Sequence, residues 1–504
     1  MDGMTLDRQS CYSALLARDA RFDGRFFTAV KSTGIYCRPV CPARPPKLNN
    51  CIFLPSAAAA QAAGFRPCLR CRPESSPDMG AWRGTYATVS RALLLIEDGV
   101  LDDGGIESLS TRLGVGERHL RRLFLRHIGA SPGSVALTRR VLFAKQLITE
   151  TSLSMTAIAL ASGFGSVRRF NETFRQLFDC PPGALRKKSH ITKIGASSTI
   201  TLLLPYRAPY DWDTMLNFLS ARAIPGIEAI RDGAYRRTIM LEGGAGWVEV
   251  SHAAKHCALR ATIAFHSLRQ LPVIVARLRR LFDLTADPNA IGAVLSSDTL
   301  LAPLVSARPG LRVPGAWDGF ELAVRAILGQ QITVSAATRL AGKLVAKFGA
   351  ELPDAKPVGL THLFPSAEQL LNQDIAKIGM PGARGATIAN LAAATVADPH
   401  FFGPCEDLEQ AVARLRALPG IGEWTAHYIA MRALRESDAF PVGDVALMRA
   451  LSNNEPVRIA AKAMLSRAEA WRPWRAYAAL HLWTSDDAPK PGSTKKETAH
   501  ALAG

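Results

Sequence analysis

The sequence predicts a multidomain, mainly α protein with α+β parts, built as four consecutive units. Three observations carry that expectation. A chain of 504 residues with 48% apolar and 21% charged side chains can bury several cores and is neither a disordered tail nor a disulfide miniprotein. Four of its cysteines stand in two short-spaced pairs near the N-terminus. Beyond them, apolar residues recur three or four apart over most of the chain, interrupted by one stretch of short strand-like runs.

Residues 1–78 form the first unit. They are rich in Cys, Pro and Arg and poor in regular periodicity, as expected of a small domain in which a metal replaces a core. Cys37 and Cys41 lie in GIYCRPVCPAR, and Cys68 and Cys71 follow in GFRPCLRCRP. Two short turns that each deliver two thiolates are what a tetrahedral Zn2+ asks of a chain, with Zn–S bonds of about 2.3 Å. One Zn2+ on four cysteines is therefore expected. Arg38, Arg44, Arg66, Arg70 and Arg72 surround the quartet as candidate phosphate contacts. Cys180, Cys257 and Cys405 stand alone and read as small buried apolar residues.

Residues 82–188 read as consecutive amphipathic helices, with helical apolar spacing in YATVSRALLLIEDG and TRRVLFAKQLITE. In ESLSTRLGVGERHLRRLFLRHIG a short helix ends at Gly114 and a second begins near Gly116, the spacing of a helix-turn-helix. Its second helix offers Arg118, His119, Arg121 and Arg122 around Leu120 and Leu123. The unit recurs in SMTAIALASGFGSVRRFNETFRQLFDCPPGAL, where Gly163 and Gly165 bracket the turn and the second helix offers Ser166, Arg168, Arg169, Asn171 and Arg175. Two such units with basic second helices point to double-stranded DNA.

The polar, basic stretch RKKSHITKIGASSTI reads as a linker. Residues 198–312 contain TITLLL, YRRTIML and GWVEVSH, short strand-like runs that make an α+β unit, and a long helical region opens at Pro272 and fills residues 313–490. Within it, ARLRALPGIGEWTAHYIA is a helix-hairpin-helix: Pro419 starts the turn, and Gly420 and Gly422 permit unusual dihedrals and close approach of backbone N–H groups to a phosphate. Asp444 follows a second turn, PVG, at the start of a helix. On local grounds alone it is first of all a helix cap.

Lys plus Arg number 61 against 43 Asp plus Glu, a formal +18 concentrated in the first two fifths, so an anionic polymer is the expected partner. No run approaches the roughly 18 apolar residues of a membrane span, and MDGMTLDRQS lacks the basic and apolar regions of a signal peptide. A cytoplasmic, nucleoid-associated protein with no membrane partner is expected.

ARDARFDGRFFTAVKSTGIYCRPVCPAR followed by AAGFRPCLRCRP resembles the N-terminal domain of the Ada family, regulators of the bacterial adaptive response to DNA methylation. The resemblance implies that Cys37 takes a methyl group irreversibly from a methylphosphotriester of the DNA backbone. Methylating one of four thiolates removes a unit of repulsion from the phosphates, so DNA binding should tighten. GFGSVRRFNETFRQLFDCPPGALRK resembles the second unit of AraC-type transcription regulators. That implies two second helices in successive major grooves, and makes RNA polymerase a candidate partner.

From about residue 200 to 485 the chain resembles DNA-3-methyladenine glycosylase II of the helix-hairpin-helix glycosylase superfamily, through PYDWDTMLNFLSARAIPGIE, ARPGLRVPGAWDGFELAVRAILGQQITV, IGMPGAR, LPGIGEWTAHYIA and RPWRAYAALHLW. The resemblance implies that Asp444 is the catalytic acid, its carboxylate stabilising a sugar that turns cationic as the glycosidic bond stretches. It implies that Trp424, Tyr428, Trp483 and Phe218 wall a pocket for a flipped base, and that Gln331 stands where relatives wedge a leucine into the gap. Strand-cutting relatives carry a Schiff-base lysine where this chain has Trp424, which implies a monofunctional hydrolase. The hairpin carbonyls are a candidate site for a monovalent cation. The Pro-Cys-His-Arg tetrapeptide of the second Ada methyltransferase domain does not occur. The expectation is a bifunctional alkylation-response protein. Two alternatives stay open: an activator with an inactive glycosylase scaffold, and a repair enzyme whose helix-turn-helix units bind DNA without sequence preference.

Overall fold

The computed structural model describes residues 7–76, 87–187, 199–353, 357–405, 407–452 and 459–486. Most of the expected linker lies outside these described residues. Among them no helix is long and apolar enough to cross a membrane.

The first unit holds more regular structure than its periodicity suggests. Four short strands, β1 (Phe27–Val30), β2 (Ile35–Cys37), β3 (Cys51–Leu54) and β4 (Arg66–Pro67), form a sheet in the order β3-β1-β2-β4. Only β2 and β4 run parallel. Strands of two to four residues are too short for alternation to show in a sequence. Phe27, Ala29, Tyr36 and Ala60 make a small core beneath them. Cys37 closes β2 and Cys68 follows β4, so the one parallel pairing brings the two cysteine pairs together.

Two helix-turn-helix units follow, as expected: α1 (Ile106–Leu113) with α2 (Glu117–Ile128), and α4 (Met155–Ala161) with α5 (Val167–Phe178), joined by the long α3 (Pro132–Glu150). Phe170, Phe174 and Phe178 recur every fourth residue and are buried, which turns the basic face of α5 outward. Gly163 is required where it stands. Its φ is +79°, and a Cβ there would lie 2.7 Å from the Asp102 carboxylate, which is itself held by Arg139 and Arg140 of α3.

The third unit is an antiparallel five-stranded sheet, β5 (Ile200–Pro205), β6 (Glu228–Arg231), β7 (Ala234–Leu241), β8 (Gly244–Ala253) and β9 (Ala258–Phe265), in the order β5-β9-β8-β7-β6, with α6 (Trp212–Ser220) between β5 and β6. Three of these strands are readable as runs. β6, of four residues, is too short for alternation to show, and β9 lies outside the three runs. Cys257, expected to be buried, is exposed: it occupies a left-handed corner (φ +46°) that turns the chain into β9. Cys180 is half-buried and Cys405 buried.

The units are joined by packing as well as by sequence. Val141 and Leu147 of α3 and Phe170 and Phe174 of α5 share one buried cluster with Leu202 of β5, Val248 of β8, and Leu278 of α7 (Leu271–Leu281). Each such side chain stabilises the whole by about 1.5–3 kcal/mol when fully buried. Gln146 of α3 donates to the Leu203 carbonyl of β5 at 2.8 Å, and Glu150 accepts from the Leu203 amide at 3.0 Å. On its other side α3 holds the first unit: the buried Lys145 ammonium meets Glu74 at 2.7 Å and donates to the Cys68 carbonyl at 3.2 Å. Arg25 pairs with Asp287 and Arg207 donates to the Asp23 carbonyl, tying the first unit to the third.

Candidate active sites and DNA-binding faces

Cys37, Cys41, Cys68 and Cys71 present four sulfurs that all lie within 4.8 Å of one another. Tetrahedral Zn–S bonds of about 2.3 Å put ligands roughly 3.8 Å apart, so the quartet fits one Zn2+. The donor chemistry points the same way. Contacts with Cys41, Cys68 and Cys71, and then burial, raise the Cys37 thiol, whereas contact with Cys37 lowers Cys41 and Cys68, so the sulfurs share charge unevenly and a cation among them would favour the fully ionised set. Three of the four are buried. Cys37 alone is half-exposed.

Cys37 and Cys41 open onto a cavity of about 600 Å³ shared by the first unit and the end of α5, where Leu177 and Phe178 line it. Arg44, Arg66 and Arg70 also line it. Arg44 and Arg70 are exposed, as phosphate contacts should be. Arg66 pairs with Asp179 just beyond α5. Arg38 and Arg72 do not fit the expected role. Arg38 turns inward, its backbone N–H donating to Cys71 Sγ at 3.4 Å and its Nε to the buried Asp23 at 2.9 Å. Arg72 meets Glu74 at 3.1 Å and Glu150 at 2.7 Å. Buried carboxylates command these guanidiniums more strongly than solvent does, and both brace the zinc knuckle.

On the two basic helices the expected residues point outward. Arg118, Arg121 and Arg122 of α2 are exposed; Arg121 lies 3.5 Å from Glu117, and Arg122 donates to His119 Nδ1 at 3.1 Å. On α5, Arg168, Arg169 and Arg175 are exposed and Asn171 is half-exposed. Ser166 is the N-cap: its hydroxyl accepts from the Arg169 amide at 3.1 Å.

The second centre is a cavity of about 680 Å³ lined by Phe218 of α6, by Trp424 and Tyr428 of α10 (Glu423–Arg432), by Asp444 and by Trp483 of α12 (Arg475–Asp486). Every base-pocket residue expected from the sequence thus converges on one cavity. Helix α10 follows the hairpin turn that leaves α9 (Leu408–Arg416). Gly420 is obligatory there, with φ +89° and a hypothetical Cβ only 2.0 Å from Thr387 Oγ1 of α8 (Gly382–Ala397). Gly422, expected to need an unusual dihedral, has an ordinary φ of −83° and caps α10. Its Cβ would stand in open space, on the side a phosphate can approach.

Asp444 combines the two roles that its sequence position suggested. It caps α11 (Val445–Leu451), Oδ1 accepting from the Ala446 and Leu447 amides at 3.0 Å each. The indole N–H of Trp483 donates to the same oxygen at 3.0 Å, and that of Trp424 to Oδ2 at 2.9 Å. Four N–H donors fix the carboxylate, and Oδ2, with one partner, keeps a lone pair toward the cavity. The two tryptophans were expected as stacking walls, and their N–H groups, which aim the acid, escaped the sequence reading.

Trp424 and Tyr428 stack at 5.3 Å with an 11° interplanar angle, and Tyr428 lies 6.4 Å from Trp483. Two arginines the sequence did not suggest stand behind them. Arg432 donates to the Pro314 and Gly315 carbonyls and to the Tyr428 hydroxyl at 2.7 Å. Arg222 lies with its Cζ 3.8 Å from the Phe218 ring centre. Burial opposes ionisation of Tyr428, yet Arg432 and Arg222 together hold the phenol below its usual range. Gln331 is exposed at φ +60°, between Gly329 and Ile332 of the cavity rim. Its neighbour Gln330 donates to the Gly420 carbonyl at 2.9 Å and to Thr425 at 3.1 Å, so the rim loop is tied to the hairpin.

Comparison with known proteins matches each unit to a family. Residues 10–74 match the metal binding domain of Ada, 109–188 a helix-turn-helix domain, 201–318 the AlkA N-terminal domain, and 324–476 the HhH-GPD superfamily of base excision DNA repair proteins. A protein of Mycobacterium tuberculosis described as a probable bifunctional transcriptional activator/DNA repair enzyme AlkA is 43% identical over 488 residues, 96% of this chain and 97% of its own. DNA-3-methyladenine glycosylase 2 of Escherichia coli is 33% identical over 287 residues, 56% of this chain and 96% of its own. The structure of a 3-methyladenine DNA-glycosylase from Archaeoglobus fulgidus has the same fold over 57% of this chain and 98% of its own, with a TM-score of 0.50 at 22% identity.

Proposed function

The chain belongs to the family of bifunctional transcriptional activators and DNA repair enzymes, and on that footing we propose that it answers DNA alkylation by two reactions, at Cys37 and at Asp444. It is a DNA glycosylase with an attached zinc-bound regulator, and it acts on double-stranded DNA. The division we adopt is 1–78, 82–188, 198–312 and 313–490.

At the first centre one Zn2+, held by Cys37, Cys41, Cys68 and Cys71, keeps the sulfurs deprotonated at neutral pH. Cys37, the one ligand that is not buried, attacks the methyl carbon of a backbone methylphosphotriester. An S–C bond forms, the C–O bond breaks, and the phosphodiester leaves with its negative charge. Cys37 becomes a neutral thioether, and the first unit is more positive by one charge. Because its cavity is shared with α5, that change is felt where the second recognition helix meets DNA. Promoter binding through α2 and α5, with RNA polymerase as the downstream partner, is the regulatory output, and it places the protein on the nucleoid.

At the second centre the flipped purine enters among Phe218, Trp424, Tyr428 and Trp483. As the C1′–N bond stretches, electrons pass to the base and the sugar becomes cationic. Asp444 Oδ2 faces that charge and accepts the proton of the attacking water. Among the described residues that line the cavity there is no lysine, and the reaction ends at the abasic sugar. The observation that carries this reading is the Asp444 carboxylate, aimed by two indole N–H groups into an aromatic cavity. The test is release of free 3-methyladenine from methylated duplex DNA. Wild type should release it, and Asp444→Asn should be slower by roughly a thousandfold while still accepting a methyl group on Cys37. Equal release by both proteins would remove Asp444 from the mechanism.

A further inference from the structure

We propose that Arg222 is the selectivity gate of the base pocket: its guanidinium holds the place of a flipped base on Phe218, and a cationic purine displaces it far more readily than a neutral one. This rests on the glycosylase reading and adds to it the feature that sorts substrates.

Arg222 lies two residues beyond the end of α6, the helix that carries Phe218 into the cavity. At 3.8 Å from ring centre to Cζ, its planar cation is in stacking contact with the Phe218 ring. Apart from that ring and Tyr428, its one partner is the Phe218 carbonyl at 3.3 Å. Among the described residues no carboxylate pairs with it. The two acids that line this part of the cavity are taken: Glu321 by Arg237 and Arg325, Glu228 by Arg325, all within 2.7 Å. Arg432 makes the contrast. Its guanidinium also faces the Phe218 ring, at 4.8 Å, but three hydrogen bonds to Pro314, Gly315 and Tyr428 anchor it. Of the two cations facing the Phe218 ring, Arg432 is tethered, and Arg222 is held by the ring, the Phe218 carbonyl and Tyr428.

A base that stacks on Phe218 must take the ring face that Arg222 occupies. A neutral purine gives the pocket an ordinary stack and costs it a cation–π contact. A purine alkylated at a ring nitrogen carries its own positive charge. It restores the contact it displaces, and the repulsion between two stacked cations drives Arg222 out. Discrimination therefore begins before Asp444 acts. Undamaged adenine and guanine, being neutral, meet the same barrier.

The experiment compares kcat/KM on duplexes carrying 7-methylguanine, a cation, or hypoxanthine, a neutral base. Wild type, Arg222→Ala and Arg222→Lys are assayed as full chains. In Arg222→Ala the hypoxanthine rate should rise relative to the 7-methylguanine rate by roughly three- to thirtyfold, with release of undamaged purines rising too. Arg222→Lys keeps a cation and should stay nearer wild type, and methylguanidinium added to Arg222→Ala should restore discrimination. That rescue keeps the test meaningful if the alanine variant is less stable. An unchanged ratio, or a parallel loss on both bases without rescue, overturns the gate. Wild type that releases neither base overturns the glycosylase reading and the gate with it, whereas wild-type release with an unmoved ratio overturns the gate alone.

Discussion

Cys37 and Asp444 sit in centres of opposite construction. The first is gathered between residues 37 and 71 by one metal, over a core of a few side chains. The second takes Phe218, Trp424, Asp444 and Trp483 from four elements and aims them with a large buried cluster behind. In the proposed function a metal supplies both cohesion and a reactive sulfur that is used once, so the site can be local. A carboxylate that must turn over needs fixed donors, and only a packed core holds two indoles to within a hydrogen bond of one acid.

The most drastic way to test that contrast is to strip the zinc. Structural zinc in small domains is worth roughly 10–16 kcal/mol of apparent binding energy, so a strong chelator should unfold the first unit and abolish methyl transfer. Base release should persist, because nothing in the aromatic cavity depends on the four thiolates. Parallel assays of methylated Cys37 and free base would check this. Loss of both activities would mean that Arg25–Asp287 and the Arg207 bond to Asp23 couple the centres.

Trp483→Phe probes the second centre alone. A smaller aromatic ring remains and one N–H donor to Asp444 is lost. A hydrogen bond to a charged group contributes about 1.5–3 kcal/mol, so kcat for base release should fall about ten- to a hundredfold, with KM nearly unchanged. A rise in KM alone would make Trp483 a stacking wall and nothing more.

Acid should also separate the halves. His481 on α12 is 4% exposed, and burial lowers its pKa from 6.5 to about 4. The unfolded chain therefore binds a proton that the folded chain refuses. Stability is complete above pH 6.5 and is lost as pH falls from there toward 4, by about 2 kcal/mol between pH 7 and pH 5. All the tryptophans but Trp82 lie beyond residue 200, so their fluorescence in urea reports this half. His481→Leu should flatten the profile, and an unaltered slope would assign the loss elsewhere.

The same contrast explains what the sequence disclosed. Ligand spacing survives in a string of letters because one metal constrains residues close in sequence, and the helix-turn-helix and hairpin turns survive because Gly163 and Gly420 admit no side chain. The pocket aromatics were placed by resemblance to a family. What stayed hidden depends on three-dimensional neighbours. Arg38 and Arg72 looked like phosphate contacts until Asp23, Glu74 and Glu150 were found beside them. Arg222 lies in an unremarkable ARAIPG and acquires meaning only from the ring beneath it. The cluster shared by α5 and β5 could not be read from either element, since each shows only its own apolar face.

The smallest effect is expected at Arg168. Its side chain is 89% exposed and meets the exposed Glu172 at 2.8 Å, a surface pair of the kind that contributes little to a helix. Arg168→Ala should therefore leave folding and base release alone while weakening promoter binding roughly tenfold. The form of that loss is informative. A base contact would relax preference at one operator position, whereas a phosphate contact would weaken all sequences alike and lower the salt slope by about 1. Base release from lesions outside any promoter decides between regulator and repair accessory. If it falls together with promoter binding, α5 serves the glycosylase by holding DNA of any sequence, and the shared core exists to carry that grip. If it does not fall, the recognition helices and the base pocket act on different DNA, and the core they share only keeps sensor and excision centre in one molecule.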